Sequence, residues 1–191
     1  MPKDRKTLQL TDPKGLRAYA HPIRLTLMGL LRRSGPLTAT QAGERIGESA
    51  ASCSFHLRQL AKYGLVEEAG GGRGRERPWR ATAVTTEWPA GGPTPEAAEA
   101  GAMLSRVVVE HYFEQAIGWL DRRREEPSDW AEKAVVSDHV VYLTAAELDE
   151  IGARMRALLD PYLDRNEDAD ARPEGSRPVS YIQLGFPLDE E

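Results

Sequence analysis

One cysteine, Cys53, stands in a chain of 191 residues. That scarcity excludes an intrachain disulfide and any multi-cysteine metal centre. Long apolar runs are missing too; none approaches the ~18 residues that a membrane-spanning helix needs. The first residues, Met1-Pro2-Lys3-Asp4-Arg5-Lys6, are charged and lead into no apolar stretch of the secretory kind, so a cytoplasmic protein is expected. There is no nucleophile elbow, phosphate-binding loop or zinc-protease pattern. The expectation is therefore no enzyme, with no catalytic residue, no metal and no cofactor. Internal repeats are also missing.

What is present suffices for a packed core. Apolar residues make up 40% of the chain, and its length suits one large or two small domains. The formal net charge of −5 hides an asymmetry. Residues 1–82 carry 15 Lys and Arg against 7 Asp and Glu, a net of +8. Residues 83–191 carry 10 against 23, a net of −13. A basic half joined to an acidic half points to a polyanion-binding module beside a partner domain, although scattered surface charge would give the same count.

Helix signals crowd the basic half. Thr11-Asp12-Pro13 pairs a cap with an early proline and predicts a short helix to about Ala20. His21-Pro22 restarts the chain, and Ile23, Leu27, Leu30 and Leu31 recur at helical spacing up to Gly35-Pro36. Thr38-Ala39-Thr40-Gln41 is a capping box for a helix with Ala42 and Ile46 inward. Gly47 makes a sharp turn, and Ser49 caps a helix over Ser49–Tyr63 whose inward face is Cys53, Leu57 and Leu60. Beyond Gly64, Leu65–Glu68 and Trp79–Thr82 read as strands of a hairpin with a glycine-rich tip carrying Arg73, Arg75 and Arg77.

Helix, short helix, glycine turn, helix and basic hairpin together describe a winged helix-turn-helix. A helix that enters the major groove must present small polar residues. Ser49, Ala50, Ala51, Ser52 and Ser54 meet that need at the N-terminal end of their helix, where the free N–H groups favour phosphate. Phe55, His56, Arg58 and Lys62 follow on the same helix, and Thr38, Thr40 and Gln41 open the preceding one. All are DNA-binding candidates, with Arg73, Arg75 and Arg77 on the minor groove or phosphates. The bland alternatives are a solvated face for Arg58 and Lys62, a structural histidine at His56, solubilising charge at the wing arginines and a core residue at Cys53.

The run His21-Pro22-Ile23-Arg24-Leu25, the helix Ser49 to Leu60 and the segment Tyr63-Gly64-Leu65-Val66 resemble the ArsR-type winged-helix repressors over residues 16–82. The resemblance implies groove contacts at Ala50, Ala51, Ser52, Ser54 and Phe55, and a buried position at Cys53. Phe55 departs from the polar or basic residue common there. Metal sensing in this family uses thiolates near the recognition helix, or an acid and histidine pair upstream of a His-x-x-His or His-x-x-Glu. Here His111-Tyr112-Phe113-Glu114 supplies one half, but the other falls on Ala98 and Ala100, which cannot ligate.

The stretch 83–94 is rich in proline and glycine and reads as a linker. Thr94-Pro95-Glu96 opens a long helix to about Arg124, with Leu104, Val108, Tyr112 and Trp119 as the expected dimerisation stripe, joined by Val109, Phe113, Ile117 and Leu120. Val135 to Leu143 and Val179 to Leu184 read as two strands able to pair. Between them, Thr144-Ala145-Ala146-Glu147 is a second capping box for a helix to about Tyr162. Trp119, Trp130, Tyr142, Tyr162 and Phe186 read as ordinary core or as the lining for a small apolar effector. This extension resembles the C-terminal region of longer ArsR-like regulators.

The expected fold class is mainly α with small β (α+β). It divides into a winged helix-turn-helix at 7–82, a linker at 83–94, and a dimerisation or effector domain at 95–191 made of the long helix and a small α/β extension. The expected function is a homodimeric repressor of double-stranded DNA at a near-palindromic operator. The competing reading is a protein-interaction module built on a winged-helix scaffold.

Overall fold

A computed structural model describes residues 6–71, 77–89 and 91–189. Strand β1, Thr7–Gln9, precedes helix α1 at Pro13–Tyr19 and helix α2 at Pro22–Ser34. Asp12 caps α1 by accepting from the N–H groups of Lys14 and Gly15, and His21 caps α2 through its ring. Helix α3 covers Ala39–Ile46 and α4 covers Ala50–Lys62. Strands β2, Val66–Glu68, and β3, Trp79–Ala81, pair antiparallel as the wing. The caps, the turn at Gly47 and the two wing strands follow the sequence signals.

Strand β4, Thr85–Glu87, lies in the stretch read as a linker and pairs in parallel with β1. Leu10 N–H extends the pairing by donating to the Glu87 carbonyl at 2.8 Å. Arg32 on α2 holds the same segment: its side chain donates to the Ala83 carbonyl at 3.3 Å and to the Thr86 hydroxyl at 2.7 Å. Trp88 continues the clamp, stacking edge-on against Tyr19 and donating its indole N–H to Ser105 Oγ at 2.9 Å. Residues 83–89 are therefore built into the N-terminal unit.

Helix α5, Pro95–Arg122, runs first along α1. Arg17 on α1 pairs with Glu96 on α5 at 2.7 Å. Ala97, Ala100 and Leu104 are buried, and Ala100 and Leu104 join one core with Leu16, Leu27, Met28, Leu57, Leu60 and Leu65. The stripe expected for dimerisation is thus divided. Leu104 is wholly buried inside its own chain and Val108 packs against the same core, whereas Tyr112 is exposed and Trp119 half-exposed.

A 3-10 turn at Arg123–Glu125 and a one-turn helix α6, Ser128–Ala131, follow. Helix α7, Ala145–Glu167, starts with the Thr144–Glu147 capping box and lies near α2. The strands expected at Val135–Leu143 and Val179–Leu184 do not form. Neither segment finds a partner strand among the described residues, so the valine alternation that suggested them has no ladder to join. Val135, Val136, Val140 and Tyr142 are largely exposed. Nor do Tyr142, Tyr162 and Phe186 make a core, because all three are more than half exposed. The fold class stands as mostly helical with small β elements, but those elements belong to the N-terminal half.

Candidate nucleic-acid interface

The site starts from the caps that orient two helices. Thr38 Oγ1 accepts from Gln41 N–H at 3.2 Å while Gln41 Oε1 accepts from Thr38 N–H at 2.9 Å. Both side chains are thereby committed to starting α3, and Thr40 beside them is exposed. At the far end Gly47 takes φ +74, a left-handed conformation that side chains disfavour. Gly43 allows the close approach within this turn: a Cβ there would lie 2.5 Å from the Glu48 carbonyl oxygen. Glu48 N–H donates to the Gly43 carbonyl, and Ser49 Oγ then accepts from Ser52 N–H at 3.1 Å to start α4.

Helix α4 is two-faced. Cys53, Leu57 and Leu60 are completely buried and fix it onto α2 and α3. Burial pushes the Cys53 thiol up, with Glu48 adding to the effect, which keeps the thiol protonated and unreactive. Opposite them, Ser49, Ala50, Ala51, Phe55, Arg58 and Lys62 are exposed, and Ser52 and Ser54 are half-exposed. This face carries two cations and no carboxylate of its own helix. Its first turn has only small side chains, so the backbone itself is accessible. His56 is placed differently from the other candidates: it is 7% exposed and lies on the flank of α4, packed against His21 at a tilt of 44° with ring centroids 4.6 Å apart.

The wing is anchored to the start of this unit. Leu37 and Trp79 exchange both backbone hydrogen bonds, at 3.0 and 2.8 Å. Cross-strand ion pairs join Arg80 to Glu67 at 2.8 Å and Arg77 to Glu68 at 2.9 Å. Arg77 therefore stands where the hairpin ladder meets its tip loop, exposed but already engaged. Arg73 and Arg75 lie outside the described residues.

His21 and Arg24 were missed as site residues by sequence reasoning. They are brought against His56 at the N-terminal end of α2, and the only signal for them was the His-Pro-Ile-Arg run. Burial holds the imidazoles of His21 and His56 below their ordinary range, and the charge of Arg24 adds to it. Along α5, burial has the same effect on His111, whose Nε2 lies 2.7 Å from Gln115 Nε2. Among the described residues no group of three His, Cys, Asp or Glu could hold a metal ion, and no helix is long and apolar enough to cross a membrane.

A family model for a helix-turn-helix domain matches residues 19–69, which spans α2, α3, α4 and β2. No curated protein matches the chain. The chain thus carries a helix-turn-helix domain, the unit with which DNA-binding regulators engage the duplex.

Proposed function

We propose that the chain is a homodimeric transcriptional repressor of the ArsR-like type that binds a near-palindromic operator. In this reading α4 enters the major groove, presenting Ser49, Ala50, Ala51, Ser52, Ser54 and Phe55 to base edges. Arg58 and Lys62 contact phosphates, and the wing reaches the minor groove or the next phosphates with Arg73, Arg75 and Arg77. The observation that carries the reading is the exposed face of α4: small at its capped end, cationic further along and free of carboxylates. Phe55, half-exposed, suits a thymine methyl. Arg77 reaches DNA by exchanging Glu68 for a phosphate.

The dimer rests on the free part of α5. Phe113, Ile117 and Leu120 are exposed at spacings of four and three, with half-exposed Val109 one turn before, so they line one side of the helix. A second copy packed there would present two copies of α4 to half-sites about 34–36 Å apart. The exposed aromatics Tyr142, Tyr162 and Phe186 suit contact with that second copy better than enclosure of a small apolar effector.

The test is binding of purified protein to the DNA upstream of its own gene, in competition with random duplex over a range of salt. Preferred binding, protection of two half-sites and loss of transcription in vitro from the protected promoter are expected. Equal affinity for random DNA would overturn sequence-specific regulation. Intact function after changing Arg73, Arg75 and Arg77 to Ala would favour a protein-interaction module instead.

A further inference from the structure

We infer that His21, Arg24 and His56 form a binding site for a DNA backbone phosphate on the flank of α4, an inference that rests on the DNA-binding reading above. The place is set by packing. Phe55 sits on the exposed face of α4 and meets the His56 ring edge-on at 5.2 Å, and His56 in turn packs at a tilt against His21 at the start of α2. These side chains lead from the groove-facing surface to an adjoining helix end. A helix about 10–12 Å across nearly fills a major groove about 12 Å wide, so its flanks lie against the phosphate walls.

The chemistry at this place is short of an anion. Arg24 Nε and His56 Nδ1 are both buried without a hydrogen-bond partner, an arrangement costly to leave unmade. Arg24 takes part in none of the ion pairs found among the described residues. His21 Nδ1 accepts from Ile23 N–H at 3.2 Å, which leaves the proton of the neutral ring on Nε2, free to donate. The first turn of α2 has no acidic residue, so nothing offsets the positive end of that helix. The charged and titratable groups acting on the two imidazoles are Arg24 on both, His56 on His21, and Glu48 of the α3–α4 turn, whose carboxylate acts on His56. A phosphate at this place would accept from His21 Nε2 and face the helix end and the charge of Arg24, while Arg24 Nε and His56 Nδ1, closed to solvent, would meet it only after a shift of their side chains.

Three variants and a pH series test the site on the full chain, with random-sequence duplex and operator duplex as probes. Arg24→Gln is expected to weaken binding to both by roughly 5- to 10-fold and to lower the slope of log affinity against log salt by about 1. Arg24→Lys should recover part of the loss. His21→Asn keeps a capping side chain and removes the imidazole, so it guards against a folding defect in the arginine variant. A phosphate favours the charged form of His56, whose Nδ1 has no partner and can take the proton without breaking a cap, so wild-type affinity should rise as pH falls from about 8 to 6. Unchanged affinity and salt slope in folded Arg24→Gln and His21→Asn would overturn the site. So would wild-type affinity that falls on acidification, the outcome expected if the cluster were packing alone. A wild-type chain that binds no duplex at all would instead sink the DNA-binding reading, and this site with it.

Discussion

The two parts of this chain on either side of His111, similar in apolar content, use their apolar residues in opposite ways. From Leu10 to His111 the leucines close into one core, with Leu27, Cys53, Leu57, Leu60, Leu65 and Leu104 wholly buried. Beyond His111 no described residue is buried, although valines, leucines and aromatics are plentiful. The second half meets the first where α7 lies near α2 and where Arg172 donates to the Arg33 carbonyl at 3.2 Å; the pair of Arg177 with Glu126 at 2.7 Å lies wholly within the second half. Apolar content therefore does not by itself make a core; a second surface must be available to close on it. The N-terminal half supplies its own, and the exposed residues of the C-terminal half are where the second copy proposed above would supply it.

The sharpest way to break that comparison is to truncate one leucine in each half. Leu57→Ala should cost about 2–5 kcal/mol in urea unfolding, because the cavity forms in closed packing. Leu158, 63% exposed, should lose less than about 0.5 kcal/mol on the same change at low protein concentration. A comparable loss at Leu158, growing with protein concentration, would mean that association completes the second core. Gly43→Ala comes next: the new Cβ meets the Glu48 carbonyl oxygen at 2.5 Å, so unfolding should become easier by roughly 1–3 kcal/mol. Thr38→Ala removes a cap and should cost about 1 kcal/mol in the same measurement. The smallest effect expected is a pH slope. His21, His56 and His111 are held below their ordinary value of 6.5 in the folded chain, so the unfolded chain binds more protons on acidification. Stability from these groups is full above about pH 6.5 and declines as pH falls towards their folded values. The urea midpoint should drop over that window, and His111→Gln should reduce the drop.

Legibility in the sequence followed the range of the forces involved. Caps act within four residues, so Thr38, Ser49, Thr94 and Thr144 each marked a helix start that the structure repeats. The inward set Cys53, Leu57 and Leu60 was equally plain, because helical spacing is local. The β1–β4 pairing was hidden: its three-residue strands lie far apart in the chain, and one sits among prolines and glycines. The opposite error came at Val135–Leu143, where the local pattern of a strand exists without a neighbour to pair with. On α5, periodicity marked an apolar helix but not which turns its own chain would cover; that depended on α1 lying alongside as far as Leu104. The His21–Arg24–His56 cluster joins two helices through a tertiary contact, so no local signal described it.

The clamp around Trp88 has a mechanical consequence. Its indole bond to Ser105 and its contact with Tyr19 fasten the root of α5 to the helix-turn-helix. The 28 residues of α5 make a rod about 42 Å long, rigidly mounted for its first turns and free for its last. Such a rod is a lever. A tilt of about 5° at the root would carry the tip roughly 4 Å over that length, a displacement comparable to the rise of one base pair. The stiffness of one tryptophan mount would then set how accurately two such protomers hold their distance along the duplex.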